Sequence, residues 1–200
     1  RQQVSMGNFV SVAFLKGEPE LESAIQSAGA QVHSLNGSLV KKLIELIRFL
    51  EQDFDLAHAH LPRAEILLAL AKFLSKSSIS LIASRHNSER FYPKAPRIVS
   101  KFLSHITLSQ FSSLISISKA VEHFLLNSGE VPRKINRTII YYGYDVTFVL
   151  SSDDGREIER DLSKYLFVGR LTHQKNIGIL LQAFRHVLTY NSHNHLHIFG

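Results

Sequence analysis

The feature that most constrains the fold of this chain is a repeated alternation of short apolar runs with longer segments of helical period. The apolar runs predict strands, and the periodic segments between them predict helices. Repeated strand–helix–strand order is typical of a parallel sheet with helices on both faces. Strands are predicted at residues 9–15, 31–35, 56–61, 78–84 and 113–118, and helices at 19–28, 39–50, 63–74, 96–109 and 119–127.

Several of these elements carry signals at their ends. Lys16 and Gly17 end the first strand, and Pro19 stands where a helix can begin. Ser38 can cap the helix that follows the second strand. A polar loop is predicted over residues 85–90, after the fourth strand. Because ligands bind beyond the carboxyl ends of the strands in such sheets, the residues that follow each strand are candidates for function.

The character of the chain changes after Asp145. Residues 151–156 are polar and rich in turn formers, which indicates a linker or domain edge. A new strand, helix and strand are predicted at 165–168, 177–190 and 195–199. The sequence therefore predicts an α/β protein with a first domain over residues 1–150, a linker over 151–163 and the start of a second domain over 164–200.

Composition narrows the classes of partner. The 200 residues carry a formal net charge of +6, which favours anionic partners without choosing among them. Nucleic acid is not a predicted partner, because no element that reads bases accompanies the charge. The absence of cysteine excludes disulfides and thiolate metal sites. Residues 1–3 resemble neither an initiator methionine nor a signal peptide, so we expect the chain to begin inside a longer protein.

A glycine and two basic residues follow the strand at 165–168. Gly169 allows a tight turn, Arg170 can grip phosphate oxygens with its planar guanidinium, and Lys175 adds a compact charge. The N-terminus of the next helix offers free N–H groups and the positive end of its dipole. The pattern predicts an anion site, and the alternative is a solvated basic loop without a role.

Two histidines two residues apart end the third strand. His58 and His60 share one face, because side chains alternate along a strand. They can form a metal pair, a hydrogen-bonding or acid–base site, or ordinary packing, and no third ligand stands nearby at a persuasive spacing. His86 and Asn87 follow the next strand and are expected at the same edge of the sheet, the alternative being an exposed loop without a role.

Two further patterns leave their interpretation open. The alternating His193, His195 and His197 are typical of a metal tract and equally of a strand with one exposed face. The helix at 96–109 either lies on an anionic membrane or presents a solvated face opposite a packed one. It carries a basic stripe of Arg97, Lys101 and His105 beside an apolar stripe of Ile98, Phe102 and Ile106.

Several motifs, in order along the chain, resemble glycosyltransferase family 4. The acceptor domain of that family is similar to residues 14–17, 28–29, 55–62, 116–120 and 139–145, and the opening of its donor domain is similar to residues 167–171, 174–175 and 183–184. The resemblance implies the GT-B type of α/β fold: a Rossmann-like acceptor domain with a parallel sheet, followed by the beginning of a second Rossmann-like donor domain. It also implies sugar transfer from a nucleotide donor with retention of configuration, without a metal or a cofactor.

The resemblance also implies roles for individual residues. Gly169, Arg170 and Lys175 would hold the donor phosphates, and His60 matches the active-site histidine of the family near the transferred sugar.

His86 and Asn87 match a loop that lines the acceptor side of the cleft, and Ser118 falls in a strand-end motif of the same cleft. Two residues depart from the family pattern: Tyr142 stands where an asparagine is common, and Asn176 where a glycine often follows the lysine. The glycine-rich loop of the family would precede residue 1, and its Glu-x7-Glu element would follow residue 200. The chain alone is therefore predicted to be inactive.

The predicted function is a retaining glycosyltransferase of the hexosyltransferase type. It would move a sugar from a nucleotide-sugar donor to a glycan, lipid-linked or small acceptor in polysaccharide or envelope biosynthesis. The predicted location is the cytoplasm, with peripheral contact at the inner face of an anionic membrane. The alternatives are a catalytically degenerate nucleotide-sugar-binding protein, a GT-B sugar-nucleotide epimerase and, more weakly, a metal-dependent hydrolase.

Overall fold

The computed structural model of the protein describes residues 2–15, 21–52, 54–143 and 161–200. Its contacts divide the chain into two compact units, Arg1–Gly143 and Tyr144–Gly200. Each unit contains parallel strands connected through helices, so the predicted α/β class is confirmed. The end signals predicted at Lys16, Gly17 and Pro19 lie outside the described residues. Most of the predicted linker lies outside them as well, and the predicted domain limits stay a prediction.

The first unit contains six strands and six helices among its described residues. Its strands are β1 (Ser11–Phe14), β2 (Gln31–Ser34), β3 (Leu56–His60), β4 (Ser80–Arg85), β5 (Ser113–Ser116) and β6 (Asn136–Ile139). Its helices are α1 (Gln2–Ser5), α2 (Glu22–Ser27), α3 (Leu39–Leu50), α4 (Pro62–Ser75), α5 (Arg97–Leu108) and α6 (Lys119–Ser128).

The strands of this unit form two parallel sheets. β1 pairs with β2, and the larger sheet has the order β3–β4–β5–β6. Helices α4, α5 and α6 connect the four strands of the larger sheet in sequence, so the carboxyl ends of these strands lie at one edge. The sequence did not predict β6, because most of its side chains are exposed and it lacks an apolar alternation.

The core of the first unit lies against the central strands of the larger sheet. Leu81 and Ala83 on β4 and Leu114 on β5 are completely buried. Burying one such leucine contributes about 1.5–3 kcal/mol. The neighbouring helices add apolar side chains to the same cluster: Leu46 and Leu50 from α3, Leu68, Ala69 and Ala71 from α4, and Val121 and Leu125 from α6.

Short polar residues begin two of the helices. Ser38 Oγ accepts a hydrogen bond from the Lys41 backbone N–H at 3.3 Å, which confirms the predicted cap of α3. Ser118 caps α6 in the same way, accepting from the Val121 N–H at 3.2 Å. Gly129 follows α6 with φ 66°, in the left-handed region where glycine commonly ends helices.

The second unit contains two parallel strands and the helix between them among its described residues. β7 (Lys164–Val168) pairs with β8 (His195–Phe199), and α7 (Ile177–Tyr190) connects them. A 3₁₀ turn over His173–Lys175 precedes α7. The Tyr165 ring on β7 packs edge-on against the Phe184 ring on α7, with centroids 5.5 Å apart. These elements lie where the sequence pattern predicts them.

The structure corrects the start of the predicted polar loop at 85. Arg85 is the last residue of β4, and its side chain is only 5% exposed. Arg85 Nη2 donates to Glu65 Oε2 at 2.8 Å, and Glu65 on α4 is completely buried. The guanidinium carbon also lies 4.7 Å from the centre of the Phe91 ring. A buried charge needs a partner, and this partner lies on a helix whose sequence is otherwise mostly apolar.

This ion pair is held in a poorly solvated place. Burial raises the pKa of Glu65 to about 7, and the charge of Arg85 opposes that rise. Burial lowers the pKa of Arg85, opposed by Glu65 and then by Glu130. Among the described residues Glu65 Oε1 and Arg85 Nε have no hydrogen-bond partner. Forming the pair therefore costs desolvation free energy, and removing only one of the two charges costs more, because the other stays buried without a partner.

We expect Arg85→Met to lower the free energy of unfolding by about 3–5 kcal/mol, because it leaves Glu65 buried without its cation. The double variant Glu65→Leu/Arg85→Met should recover most of that loss, since an apolar pair of similar volume needs no charge partner. Urea denaturation measures both, with Arg48→Met at an exposed position of α3 as the control. Equal losses for Arg85→Met and Arg48→Met would contradict the prediction.

Candidate active site

Two adjacent strands bring the predicted site histidines together. β3 ends at His60, and the parallel register sets His60 opposite Ser84 near the end of β4. His86 follows the last residue of β4 directly. The two histidine side chains are therefore in contact at the carboxyl edge of the larger sheet, while their chemical roles stay a prediction.

The chain leaves β3 through a strained turn. Leu61 has φ 75° and ψ 151°, a region that residues other than glycine rarely adopt. Pro62 then opens α4 with its fixed φ. Backbone strain of this kind costs about 1–3 kcal/mol and concentrates at functional sites. Here it lies in the residue directly after His60.

His58, His60 and His86, which we call the histidine row, form a line of contacts. The rings of His58 and His60 have centroids 4.3 Å apart, and those of His60 and His86 are 5.1 Å apart. His60 Nδ1 and His86 Nε2 share a hydrogen bond of 2.9 Å. At the two ends, His58 Nε2 lies 2.8 Å from Ser84 Oγ, and His86 Nδ1 is hydrogen-bonded to the Tyr142 hydroxyl.

The surroundings of the histidine row favour neutral rings. Burial, followed by the charges that His60 and His86 would carry, lowers the pKa of His58 to about 4. Burial and then His86 lower the pKa of His60, and burial lowers the pKa of His86. Near neutral pH each ring therefore has one N–H donor and one acceptor nitrogen. The row can donate or accept hydrogen bonds without adding a charge.

The contacts within the row bear on the metal interpretation. His60 Nδ1 and His86 Nε2 point at each other and share one proton, whereas metal ligands direct their lone pairs at a common point. Among the described residues no group of three histidine, cysteine or acidic side chains is arranged to hold a metal ion. The observed contacts of the row are hydrogen bonds, and the choice among the three interpretations stays a prediction.

Two other predicted cleft residues have local partners. Asn87 Nδ2 donates to Glu89 Oε2 at 2.9 Å, in the loop after His86. Ser118 has its hydroxyl engaged in the cap of α6, two residues after the end of β5. Capping accounts for a serine at 118, and the predicted part of Ser118 in the cleft stays a prediction.

The glycine and basic residues of the second unit lie in the connection from β7 to α7. The Gly169 N–H donates to the Phe199 carbonyl at 2.9 Å, at the carboxyl ends of the two strands. The Arg170 and Lys175 side chains are exposed. Asn176 has φ 50° and ψ 45°, the left-handed conformation that glycine adopts most readily and asparagine tolerates. This backbone conformation explains how asparagine can replace the usual glycine after Lys175.

The alternating histidines near the end of the chain follow the ordinary strand pattern. His195 and His197 are exposed on β8, while Leu196 and Ile198 between them are partly buried. His193 lies in the turn before the strand. One exposed face of a strand accounts for this spacing.

Sequence reasoning missed three members of the site region. Tyr142 was noticed only as a departure from a family pattern, yet it contacts His86. Ser84 was predicted as the end of a strand, without a contact to His58. Glu65 lies in a helix of mostly apolar sequence, and as the one acidic residue of that helix it was the signal for a buried partner.

Comparisons with known proteins agree on one family and one fold. A family model described as Glycosyltransferase Family 4 matches residues 1–148. No curated protein sequence matches the chain. At the low identities of the solved structures, the likeness shows the fold alone, and it confirms the predicted GT-B class.

Three solved structures illustrate the likeness. Anabaena Alr3699/HepE in complex with UDP and glucose has a TM-score of 0.66 and 15% identity, covering 94% of this chain and 52% of that one. The same protein in complex with UDP-glucose has a TM-score of 0.64 and 16% identity, covering 87% and 49%. The apo form of the lipopolysaccharide outer core galactosyltransferase WaaB has a TM-score of 0.51 and 12% identity, covering 86% and 54%. The chain spans about half the length of these structures.

We expect His58 to make the protein less stable as the solution is acidified. Its pKa of about 4 in the folded state lies below the ordinary 6.5, so the unfolded chain binds the proton first and stability falls from pH 6.5 towards 4. Glu65, with a pKa raised to about 7, acts in the opposite direction over part of this range.

A variant without the His58 ring separates the contribution of His58 to the pH dependence of stability from that of Glu65. The urea midpoint should fall less between pH 6.5 and about 4 in His58→Gln than in the wild type, because the variant has no ring to protonate. His123→Gln, at an exposed position of α6, is the control. Parallel pH profiles for the wild type and His58→Gln would show that the prediction is wrong.

Proposed function

This chain belongs to glycosyltransferase family 4, and we propose that the protein carrying it moves a sugar from a nucleotide-sugar donor to a glycan, lipid-linked or small acceptor. The transfer retains the anomeric configuration and serves polysaccharide or envelope biosynthesis. The observation that carries this proposal is the neutral histidine row at the carboxyl edge of the larger sheet. Ligands of parallel α/β sheets bind beyond this edge.

The histidine row suits a carbohydrate ligand. Sugar hydroxyls are neutral groups that both donate and accept hydrogen bonds, and a neutral imidazole offers one of each. His60 is the last residue of β3, at the carboxyl edge of the sheet, and we assign it the contact with the transferred sugar. His86 and Asn87 then lie on the acceptor side.

The donor phosphates are assigned to the connection after β7. Arg170 can bind two phosphate oxygens at once, Lys175 adds a second positive charge, and Gly169 lets the backbone approach closely. Because these two cations offset the charge of a diphosphate, we propose transfer without a metal ion or a cofactor. Three of the similar solved structures contain UDP, UDP with glucose, or UDP-glucose, which supports a nucleotide-sugar donor here.

Two alternatives use the same fold. A catalytically degenerate protein would bind a nucleotide sugar and release it unchanged, and an epimerase would return a changed sugar nucleotide without an acceptor. Both predict donor binding without transfer, so a transfer assay separates them from a glycosyltransferase.

Helix α5 turns two serines inward and its apolar stripe outward, while Leu108 at its end belongs to the core. Ser100 and Ser104 are completely buried, whereas Ile98 is 83% and Phe102 is 63% exposed. The helix has a solvated face opposite a packed one, and the apolar stripe lies on the solvated face. Contact of this stripe with a membrane stays a prediction. Ile106 continues the exposed stripe, 54% exposed.

The charge around this outward face is of one sign. Residues 90–109 include Arg90, Lys94, Arg97 and Lys101 and no acidic residue. We propose that the outward face of α5 rests on an anionic membrane surface, at the inner leaflet, where apolar side chains enter the interface and basic ones meet the head groups. Among the described residues no helix is long and apolar enough to cross a bilayer.

The first test is a transfer assay of the protein that carries this chain, with a panel of nucleotide sugars in the presence and absence of chelator. We expect one donor to be turned over, and turnover to survive the chelator. Arg170→Ala should raise the barrier or weaken donor binding by about 2–4 kcal/mol, because a charge-assisted contact to phosphate is lost.

Arg185→Ala is the matched control, since Arg185 is an exposed arginine on α7. Donor binding without transfer would favour the degenerate protein or the epimerase. Unchanged kinetics in Arg170→Ala would remove this residue from the donor site, and loss of turnover with chelator would show that a metal is needed.

The membrane contact is tested with vesicles of phosphatidylcholine with and without phosphatidylglycerol. Phe102→Ser should weaken binding to the anionic vesicles roughly tenfold or more, because a buried phenylalanine contributes about 1.5–3 kcal/mol. Phe73→Ser is the matched control, as Phe73 is 67% exposed on α4. Equal binding by both variants would place the membrane contact outside α5, and no binding by the wild type would show that this face does not bind an anionic bilayer.

A further inference from the structure

We propose that Tyr142 is a positioning residue that fixes the tautomer of His60 through His86, so that His60 presents an N–H at Nε2. The tautomer itself follows from the contacts within the first unit. Its importance for sugar transfer rests on the function proposed above.

The three side chains form an uninterrupted chain of hydrogen bonds. The Tyr142 hydroxyl is bonded to His86 Nδ1, and His86 Nε2 is bonded to His60 Nδ1 at 2.9 Å. The Tyr142 and His86 rings lie nearly coplanar and end to end, with centroids 5.9 Å apart and planes inclined by 16°. The hydroxyl therefore lies close to the plane of the His86 ring, where the lone pair or N–H of Nδ1 points.

Two proton arrangements satisfy this chain when both histidines are neutral. In the first, Tyr142 donates to His86 Nδ1, His86 Nε2–H donates to His60 Nδ1, and the proton of His60 is on Nε2. In the second, every bond is reversed, and His60 Nε2 carries a lone pair. A neutral imidazole has one N–H, so no mixed arrangement keeps both bonds.

The phenol selects the first arrangement. A phenol hydroxyl is a stronger acid than a neutral imidazole N–H, and an imidazole nitrogen is a stronger base than a phenol oxygen. Hydrogen bonds strengthen as the donor becomes more acidic and the acceptor more basic. Tyr142 therefore donates to His86, and the effect passes through His86 to His60.

The consequence lies at the ring nitrogen of His60 that does not face His86. With Nε2 protonated, His60 donates a hydrogen bond to an oxygen of its ligand. Without the Tyr142 hydroxyl, the second arrangement becomes accessible, and part of the protein offers that oxygen a lone pair instead. The hydroxyl thus maintains the donor form of His60 although Tyr142 does not touch the ligand itself.

The test is Tyr142→Phe in the protein that carries this chain, which keeps the ring and removes only the hydroxyl. Tyr141→Phe is the matched control, because Tyr141 is the adjacent exposed tyrosine. Imidazole nitrogen NMR distinguishes protonated from unprotonated ring nitrogens, and the His60 signals are assigned by their loss in His60→Asn. We expect the Nε2 signal of His60 to move towards the unprotonated position in Tyr142→Phe and to stay unchanged in Tyr141→Phe.

His86→Gln provides a second arm. The glutamine amide can donate to His60 Nδ1 and has no tautomers, so adding Tyr142→Phe to His86→Gln should leave the His60 signals unchanged. In transfer assays, Tyr142→Phe alone should lower kcat roughly 2- to 12-fold, the range of one net hydrogen bond, with a smaller change in KM.

The outcomes separate this inference from the proposed function. An unchanged His60 signal in Tyr142→Phe overturns the inference even in an active transferase. The same holds if Tyr142→Phe shifts the signal equally in the His86→Gln background, because the effect would then bypass His86. A protein that transfers no sugar but shows the expected NMR shifts would retain the tautomer device and lose the proposed function.

Discussion

The buried pair of Arg85 and Glu65 holds together the two segments on which the candidate site is built. Glu65 lies in the first turn of α4, soon after His60, and Arg85 directly precedes His86. One hydrogen-bonded ion pair of 2.8 Å therefore ties the segment after β3 to the end of β4. If these segments separated, each buried charge would lose its partner, which is costly. Desolvation offsets much of the attraction, so we infer that the pair contributes a fixed arrangement more than net stability.

The lowered pKa values of the histidine row have their causes in burial and within the row itself. Arg85 is adjacent to His86 in the chain, yet burial and the other histidines account for the lowered pKa values in the row. Glu65 and Glu130 offset the charge of Arg85 locally. The row is thus a neutral hydrogen-bonded line in which each ring has one proton to place. In such a line a donor at one end determines the proton positions at the other, which gives Tyr142 its influence.

The sequence predicts an element where burial gives its apolar residues a regular spacing, and it does not predict contacts that lack such a spacing. Strands such as β4 and β5 were found because their apolar residues are buried, while the exposed β6 left no such pattern. The contact of His60 with His86 was foreseeable from parallel topology alone. Tyr142 was not, because its place beside His86 depends on the path of the chain after β6. Nor was the burial of Arg85, since no local signal links it to a glutamate 20 residues earlier.

The outward position of the apolar stripe of α5 has a cause in the same region. Glu130, almost completely buried, accepts hydrogen bonds from the Phe91 N–H and from Ser100 Oγ, while Ser100 Oγ also accepts from the Tyr92 N–H. The inner face of α5 therefore carries Ser100, whose hydroxyl reaches this network, and the apolar stripe of α5 lies on the outside. The network also anchors the connection that runs from His86 to the start of α5. A surface that binds the outward face of α5 is consequently joined, through one short and anchored segment, to the histidine row.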